Sequence, residues 1–138
     1  MLQPKKRKYT KEFRGRLRGV ALRGSEVSYG EFGLQVVEKG WLHAREIESA
    51  RKAVANYTAR KGKLWVTVFP SKPVTKKGDE VVRGGGKGPV SHFVAAVKPG
   101  RVLFELGGLT EDVCREALQR AKDKISLKTR IISKHHFE

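Results

Sequence analysis

Residues 63–69, with the sequence KLWVTVF, carry the clearest strand signal in the chain. β-Branched and aromatic residues dominate this stretch, and such residues favour an extended backbone on a half-buried surface. Alternation places Leu64 and Val66 on one face and Trp65 and Thr67 on the other. The stretch therefore predicts a β-strand with two side-chain faces, around which the neighbouring segments are assigned.

The segments after this strand predict a loop and then a hairpin. Pro70 and Pro73 are expected to end the strand, because proline has no amide hydrogen for the ladder, and a polar loop rich in lysine follows them. Residues 92–98 and 101–106 are apolar runs separated by a Pro-Gly pair. Such a pair favours a type II-like turn, so we expect the two runs to form a β-hairpin.

An amphipathic helix is predicted before the strand, over residues 44–60. Its apolar stripe recurs with helical spacing at Ile47, Ala50, Val54 and Tyr57. The opposite face is basic, and Glu48 is spaced for an i,i+4 ion pair with Lys52. His43 occupies the cap position, where Ser, Thr, Asp or Asn would bond better, so we expect a frayed start. Residues 27–37 before it are expected to be extended and kinked at their glycines.

A second helix is predicted after Thr110, which is expected to cap it. Cys114 falls on its apolar stripe and is interpreted as a small core residue, because the sequence places no activating partner beside it. Residues 128–132 are predicted to form a closing strand. Together these elements indicate an α+β fold, a single-domain sandwich of a mixed or antiparallel β-sheet with two amphipathic helices and a basic N-terminal extension.

The composition points to a polyanionic partner. The chain has 138 residues, with 30 Lys and Arg against 14 Asp and Glu, which gives a net charge of +16. A balance this basic favours nucleic acid first and an anionic membrane surface second. No apolar run approaches the length of a spanning helix, and the first residues show no leader pattern. The single cysteine excludes an internal disulfide and suits a reducing compartment.

The first 24 residues are the most basic part of the chain and contain Glu12 as their one acid. Their nine basic residues are Lys5, Lys6, Arg7, Lys8, Lys11, Arg14, Arg16, Arg18 and Arg23. We predict an RNA-binding extension over residues 1–24 that orders against a partner able to neutralise it. A solvated tail or a localisation signal is the alternative. Residues 25–138 are then a single globular domain, with a Gly/Lys-rich loop at residues 70–90.

Within that loop, residues 82–89 have the sequence VRGGGKGP. The glycines that would expose its backbone are Gly84, Gly85, Gly86 and Gly88. Glycine lets backbone amides approach an anion closely, while Arg83 and Lys87 add positive charge and Lys76 lies at the loop's start. A nucleotide-binding loop is excluded, because no Ser or Thr follows the lysine and a strand, rather than a helix, comes next. A mobile connection is the alternative interpretation.

The sequence predicts no catalytic site, no metal site and no cofactor. Asp79 and Glu80 are adjacent, so their side chains diverge on an extended backbone, whereas a two-carboxylate mechanism needs convergence. His135 and His136 are also adjacent and do not share one face, which argues against metal binding.

Several short motifs occur along the chain. None of them identifies a family alone, but their order and spacing together are specific. They are MLQPK at 1–5, FRGR at 13–16, YG at 29–30, FGL at 32–34, AR at 44–45, WVTVFP at 65–70, GKG at 86–88 and KPGRVLFE at 98–105. With these motifs the chain resembles, from end to end, the bacterial large-subunit ribosomal protein sixteen. The resemblance implies an α+β sandwich that binds large-subunit rRNA beside the aminoacyl-tRNA (A) site and is not an enzyme.

The resemblance also implies partners and positions. The partners are large-subunit rRNA, tRNA in the A site with the P site as a further contact, and neighbouring ribosomal proteins, without a membrane. By position, Arg45, Arg51 and Lys52 resemble the part that reaches tRNA, whereas the extension and the glycine loop resemble the parts that penetrate rRNA. The expected location is a cytoplasmic ribosome, with an organellar ribosome as the alternative.

Two departures from the family pattern stand out. The family's loop order is Arg-Met-Gly-Lys-Gly-Lys-Gly, whereas here Val82 stands at the arginine and Gly85 at the first lysine. His43 also replaces the family's threonine cap. Because Val82 takes the place of the arginine that is modified in some members, no hydroxylated arginine is assigned.

Two rival functions remain open at this stage. A free basic module that binds single-stranded RNA would use Trp65, Phe93 or Tyr29 as stacking surfaces. An RNA-processing enzyme would depend on Asp79, Glu80 and the histidines.

Overall fold

The computed structural model of the chain describes residues 2–6, 8–9, 11–12, 15, 17–21, 23–76 and 86–134. Its elements in chain order are β1 (Phe32–Val36), β2 (Gly40–His43), α1 (Ala44–Thr58), β3 (Lys63–Val66), β4 (Lys72–Thr75), β5 (Val90–Val97), β6 (Val102–Gly107), α2 (Glu111–Lys122) and β7 (Thr129–Ser133).

The α+β class and the two helices are confirmed, and the described strands form two sheets rather than one. A four-stranded sheet has the order β3-β6-β1-β7, and a three-stranded sheet has the order β2-β5-β4. All of their pairings are antiparallel. α1 packs against β2 and β5, α2 packs against β1, β6 and β7, and the two helices pack against each other. Each helix therefore covers one sheet, and the core lies between the two halves.

The predicted hairpin of β5 and β6 is wrong, although its turn is correct. The amide of Arg101 donates to the carbonyl of Lys98 at 3.2 Å, and Gly100 has φ +98°, as a type II turn requires at its third position. β5 nevertheless pairs with β2 and β4, whereas β6 pairs with β1 and β3. The Pro-Gly turn therefore passes the chain from one sheet to the other.

Three strands differ from the sequence-based expectation. β3 ends at Val66, but the extended backbone continues, since the amide of Thr67 donates to the carbonyl of Leu103 at 3.0 Å. β4 occupies part of the predicted polar loop, and Pro73 fits there because β4 is an edge strand. β2 was not predicted from the sequence.

The N-terminal caps of both helices differ from the prediction, which expected a frayed start for α1 and a capping Thr110 for α2. Nδ1 of His43 accepts from the amide of Arg45 at 3.1 Å, and the Glu46 carboxylate accepts from the amide of His43 at 2.8 Å. α1 thus begins with a capping box rather than a frayed turn. Thr110 holds the cap position of α2 but makes no side-chain cap bond. The apolar stripe of α1 was predicted to include Tyr57, but Tyr57 is 38% exposed. The buried residue at this end of α1 is Thr58.

The core contains the apolar faces of both helices and both sheets. Leu34 and Phe104 from the four-stranded sheet, and Leu42 from the three-stranded sheet, are fully buried in one cluster. Cys114 lies in the same cluster, which confirms its interpretation as a core residue. Burial raises the pKa of its thiol, and the thiol contacts the carbonyl of Leu109.

Buried polar side chains hold the segment before β1 onto the four-stranded sheet. Gln35 is 6% exposed, and its amide nitrogen donates to the carbonyls of Ser25 and Gly100 at 3.0 and 2.9 Å. Glu105 is 1% exposed, and its carboxylate accepts from the amides of Ser28 and Tyr29. Because both side chains are bonded, this segment is fixed across the sheet rather than loosely attached.

Candidate nucleic-acid interface

The three-stranded sheet turns one face away from the core. Leu42 and Ala95 are paired across β2 and β5 and belong to the core, so alternation turns their neighbours outward. We call the resulting surface the outer face; its residues are Trp41, His43, Lys72, Val74, His92, Val94 and Ala96. Val94 is 3% exposed although it lies outside the core cluster. Parts of the chain therefore cover this face, and they leave two grooves beside it.

The first groove, which we call the extension groove, has a volume of about 820 Å³. Among the residues that the structure describes, it is lined by Gly15, Leu17, Arg18, Lys39, Gly40, Trp41, Lys72 and Ala96. The ammonium of Lys39 contacts the carbonyl of Leu17 at 3.5 Å, and that of Lys72 lies 5.7 Å from the Trp41 ring centroid. The groove thus combines three cations and an indole ring, with no acidic residue in its described lining.

The second groove, which we call the helix groove, has a volume of about 780 Å³ at the start of α1. Its described lining is Leu2, Gln3, His43, Ala44, Arg45, Lys76, Val90, Ser91, His92 and Phe93. The imidazoles of His43 and His92 stack with centroids 4.4 Å apart at 16°. Arg45, predicted to contact tRNA, and Lys76, predicted to contact rRNA, therefore share one groove.

The surroundings of His43 favour its neutral form. Burial lowers its pKa, and the electrostatic interactions with His92 and Arg45 act in the same direction, while Glu46 acts against them. Nδ1 accepts the helix amide, so the neutral ring carries its proton on Nε2. The helix groove thus contains the stacked rings of His43 and His92 beside the cations Arg45 and Lys76.

The described end of the glycine loop is tied to the extension. Lys11 Nζ donates to the carbonyl of Lys87 at 2.9 Å, and Lys87 Nζ donates to the carbonyl of Glu12. Gly86 has φ +94°, which is left-handed and suits glycine, and Gly88 is buried. These contacts bring two predicted rRNA-binding segments together.

The α1 residues predicted to contact tRNA differ in their exposure and in their ion pairs. Arg45 and Lys52 are exposed. Arg51 makes an ion pair with Glu48. That hydrogen bond lowers the pKa of Glu48 and raises the pKa of Arg51. The expected pair between Glu48 and Lys52 is therefore replaced by one at i,i+3.

The remaining predicted residues divide into described and undescribed groups. Among the described residues, the exposed ones are Lys5, Lys6, Lys8, Lys11, Arg18, Arg23, Lys76, Gly86 and Lys87. Outside the described residues lie Arg7, Arg14, Arg16, Val82, Arg83, Gly84, Gly85, Asp79, Glu80, His135 and His136. In the described part of the chain, no group of three or more His, Cys, Asp or Glu is placed to hold a metal ion.

Sequence reasoning missed part of this interface. Lys39, Trp41 and His92 were not proposed as site residues, and Lys72 was assigned only to a loop. The missing signal was the β2-β5-β4 pairing, which joins segments distant in sequence. Alternation within β4 would have placed Lys72 on a sheet face, had Pro73 not argued against a strand there.

Comparison with known proteins identifies a family whose model covers nearly the whole chain. Residues 4–132 match the family model described as ribosomal protein L16p/L10e. The chain belongs to this family. Proteins named large ribosomal subunit protein uL16 from two Rhizobium etli strains, CIAT 652 and CFN 42, are each 49% identical to it over 134 residues. That alignment spans 97% of this chain and 98% of each relative.

Membership of the L16p/L10e family confirms the resemblance stated on the sequence motifs. The family consists of ribosomal proteins rather than enzymes, which agrees with the expectation that the chain has no catalytic role. As a ribosomal protein it is ribosome-bound. No described helix is long and apolar enough to cross a lipid bilayer.

Proposed function

We propose that this chain, a structural constituent of the large ribosomal subunit, binds large-subunit rRNA through its extension, its glycine loop and the outer face. One observation carries the proposal: Arg18, Lys39, Lys72, Arg45 and Lys76 line two adjoining grooves in which the described lining contains no acid. Phosphate contacts of this kind position a protein on RNA without reading sequence. The contribution to translation is organisation of the A site rather than chemistry.

The salt dependence of binding tests this interface. Each phosphate contact contributes about 0.7–0.9 to the slope of log affinity against log salt concentration. The test variant carries Arg18→Ala, Lys39→Ala and Lys72→Ala, and we expect its slope on deproteinised large-subunit rRNA to be shallower by about 2. The matched control carries Arg115→Ala, Arg120→Ala and Lys124→Ala, which remove the same charge from α2 and its C-terminal end. Equal slopes for the two variants would mean that net charge, rather than these grooves, drives binding.

We further propose that the start of α1 contacts tRNA in the A site. Arg45 and Lys52 are exposed, whereas Arg51 must first leave Glu48. Ribosomes carrying Arg45→Ala or Lys52→Ala should therefore bind A-site tRNA more weakly than those carrying Arg51→Ala. Unchanged binding in the first two would contradict this role.

The location of the native protein is part of the same proposal. We place it on cytoplasmic ribosomes, with an organellar ribosome as the alternative. Gradient fractionation of a cell extract should find the chain in the large-subunit peak. A chain found mainly free of ribosomes would instead favour the single-strand-binding module.

A further inference from the structure

A second aromatic surface lies on the four-stranded sheet, away from the outer face. Tyr29 is 68% exposed and its ring stacks on Trp65, with centroids 6.2 Å apart and planes at 21°. Trp65 belongs to edge strand β3, and the ammonium of Lys63 lies 5.3 Å from its ring centroid. An exposed ring is thus backed by a second ring and a cation.

The backbone of Tyr29 is fixed from beneath. Its amide and that of Ser28 both donate to the carboxylate of Glu105, which is 1% exposed. Gly30 lies directly against β6, since a Cβ at that position would be 2.9 Å from the carbonyl oxygen of Leu106. The backbone that carries the exposed ring is therefore fixed in the folded protein. Binding a ligand does not have to order this segment, which lowers the entropy cost of binding.

A groove of about 640 Å³ adjoins the two rings. Of its charged groups, Glu105 is bonded to backbone amides, and Arg101 donates to the carbonyls of Thr67 and Arg23 at 2.6 and 3.3 Å. Glu26 is exposed on the same lining. Two carboxylates and one guanidinium leave this lining one negative charge, so the groove favours a flat uncharged group more than a phosphate.

We propose that Tyr29 and Trp65 form a stacking platform for one unpaired base of RNA. The proposal rests on the proposed function, because it assumes that RNA is the partner of this chain. An aromatic plane accepts any base, since every base has a π face, and the protein's net charge of +16 draws the strand towards it. Lys63 is placed to meet the phosphate beside the stacked base.

The test separates stacking from charge by using two probes of equal charge. Full-length protein is titrated with a hexa-adenylate and with an abasic hexamer of the same backbone. Wild type should bind the hexa-adenylate roughly tenfold more tightly than the abasic hexamer, as expected for one stacked base. Tyr29→Ala should abolish this difference, whereas Tyr29→Phe should keep it because the ring remains. The circular dichroism of each variant checks its fold.

The outcomes distinguish this proposal from the proposed function. Loss of the base preference in Tyr29→Ala, with an unchanged salt slope on rRNA, supports the platform. A base preference that survives in Tyr29→Ala, or is absent from wild type, overturns it. Neither result changes the salt slopes of the two triple variants. A failure of rRNA binding by the grooves is therefore detected in a separate experiment.

Discussion

The cap of α1 makes a quantitative prediction about stability. His43→Ala removes the Nδ1 acceptor and leaves the amide of Arg45 without its partner. The second half of the capping box survives, because Glu46 accepts from the backbone amide of residue 43, and its other oxygen accepts from Ser126 at 2.9 Å. One hydrogen bond is lost together with the stacking contact to His92, and the cap bond alone should lower the free energy of unfolding by about 1 kcal/mol. For a chain of this size that corresponds to a Tm lower by roughly 2–6 °C.

The same bond predicts a pH dependence with a definite sign. Protonated Nδ1 cannot accept a hydrogen bond, and the pKa of His43 is lowered from its ordinary value of 6.5 in the folded protein. The unfolded chain therefore binds more protons than the folded one in the window below 6.5. The stabilisation is present above that window and is lost as the pH falls through it. His43→Asn, which keeps a cap acceptor that does not titrate, should lack this component.

Urea unfolding followed by circular dichroism measures the loss of stability in His43→Ala and its pH dependence. The measurements are made at pH 5.5 and 7.5, which bracket about 6.5. The C-terminal histidines are common to wild type and variants and cancel in the difference, whereas His92 stacks on His43, so the difference reports the His43–His92 pair. A His43→Ala protein as stable as wild type at the higher pH would refute the cap. A wild-type protein with the same pH dependence as His43→Asn would refute the titration.

Three further predictions concern separate features. Glu48→Gln should change the free energy of unfolding by less than about 0.5 kcal/mol, because the ion pair between Glu48 and Arg51 is partly exposed. The same substitution releases Arg51 from the pair, so a filter-binding titration at low salt should show stronger tRNA binding. Cys114 should resist maleimide in the folded protein and react once urea unfolds it, because the thiol is fully buried; rapid labelling of native protein would contradict its placement. Gly62→Ala should lower the urea midpoint by the equivalent of about 1–2 kcal/mol, because φ is +73° and a Cβ would lie 2.7 Å from the carbonyl oxygen of Gly107; an unchanged midpoint would show that the backbone relaxes there.

Local patterns predicted the helices and the turn because their determinants are close in sequence. The stripe at Ile47, Ala50 and Val54 is confirmed, and so is the closing strand at β7. Helical spacing alone could not choose between Arg51 and Lys52 as the partner of Glu48, since both i+3 and i+4 positions are within reach. That choice depends on side-chain conformation within the folded helix.

The division into two sheets could not be predicted, because it depends on pairings between distant segments. A Pro-Gly turn between two apolar runs is equally compatible with a hairpin and with a passage between sheets. The candidate interface was missed in part for the same reason. His43 and His92 become neighbours only when β2 pairs with β5, and Lys72 reaches the Trp41 ring only because β4 pairs with the other edge of β5.

The position of β1 also has a consequence for synthesis of the chain. Of the strands in the described part of the chain, β1 is the first to be made, yet it lies between β6 and β7, the last two of them. The three-stranded sheet is complete once residue 97 has emerged, whereas the four-stranded sheet must wait for residues 129–133. Long-range pairing of this kind slows folding and leaves unpaired strand edges exposed to other chains. A nascent chain of this protein therefore carries both edges of β1 unpaired until residue 107 has emerged, and the edge that faces β7 stays unpaired until residues 129–133 follow.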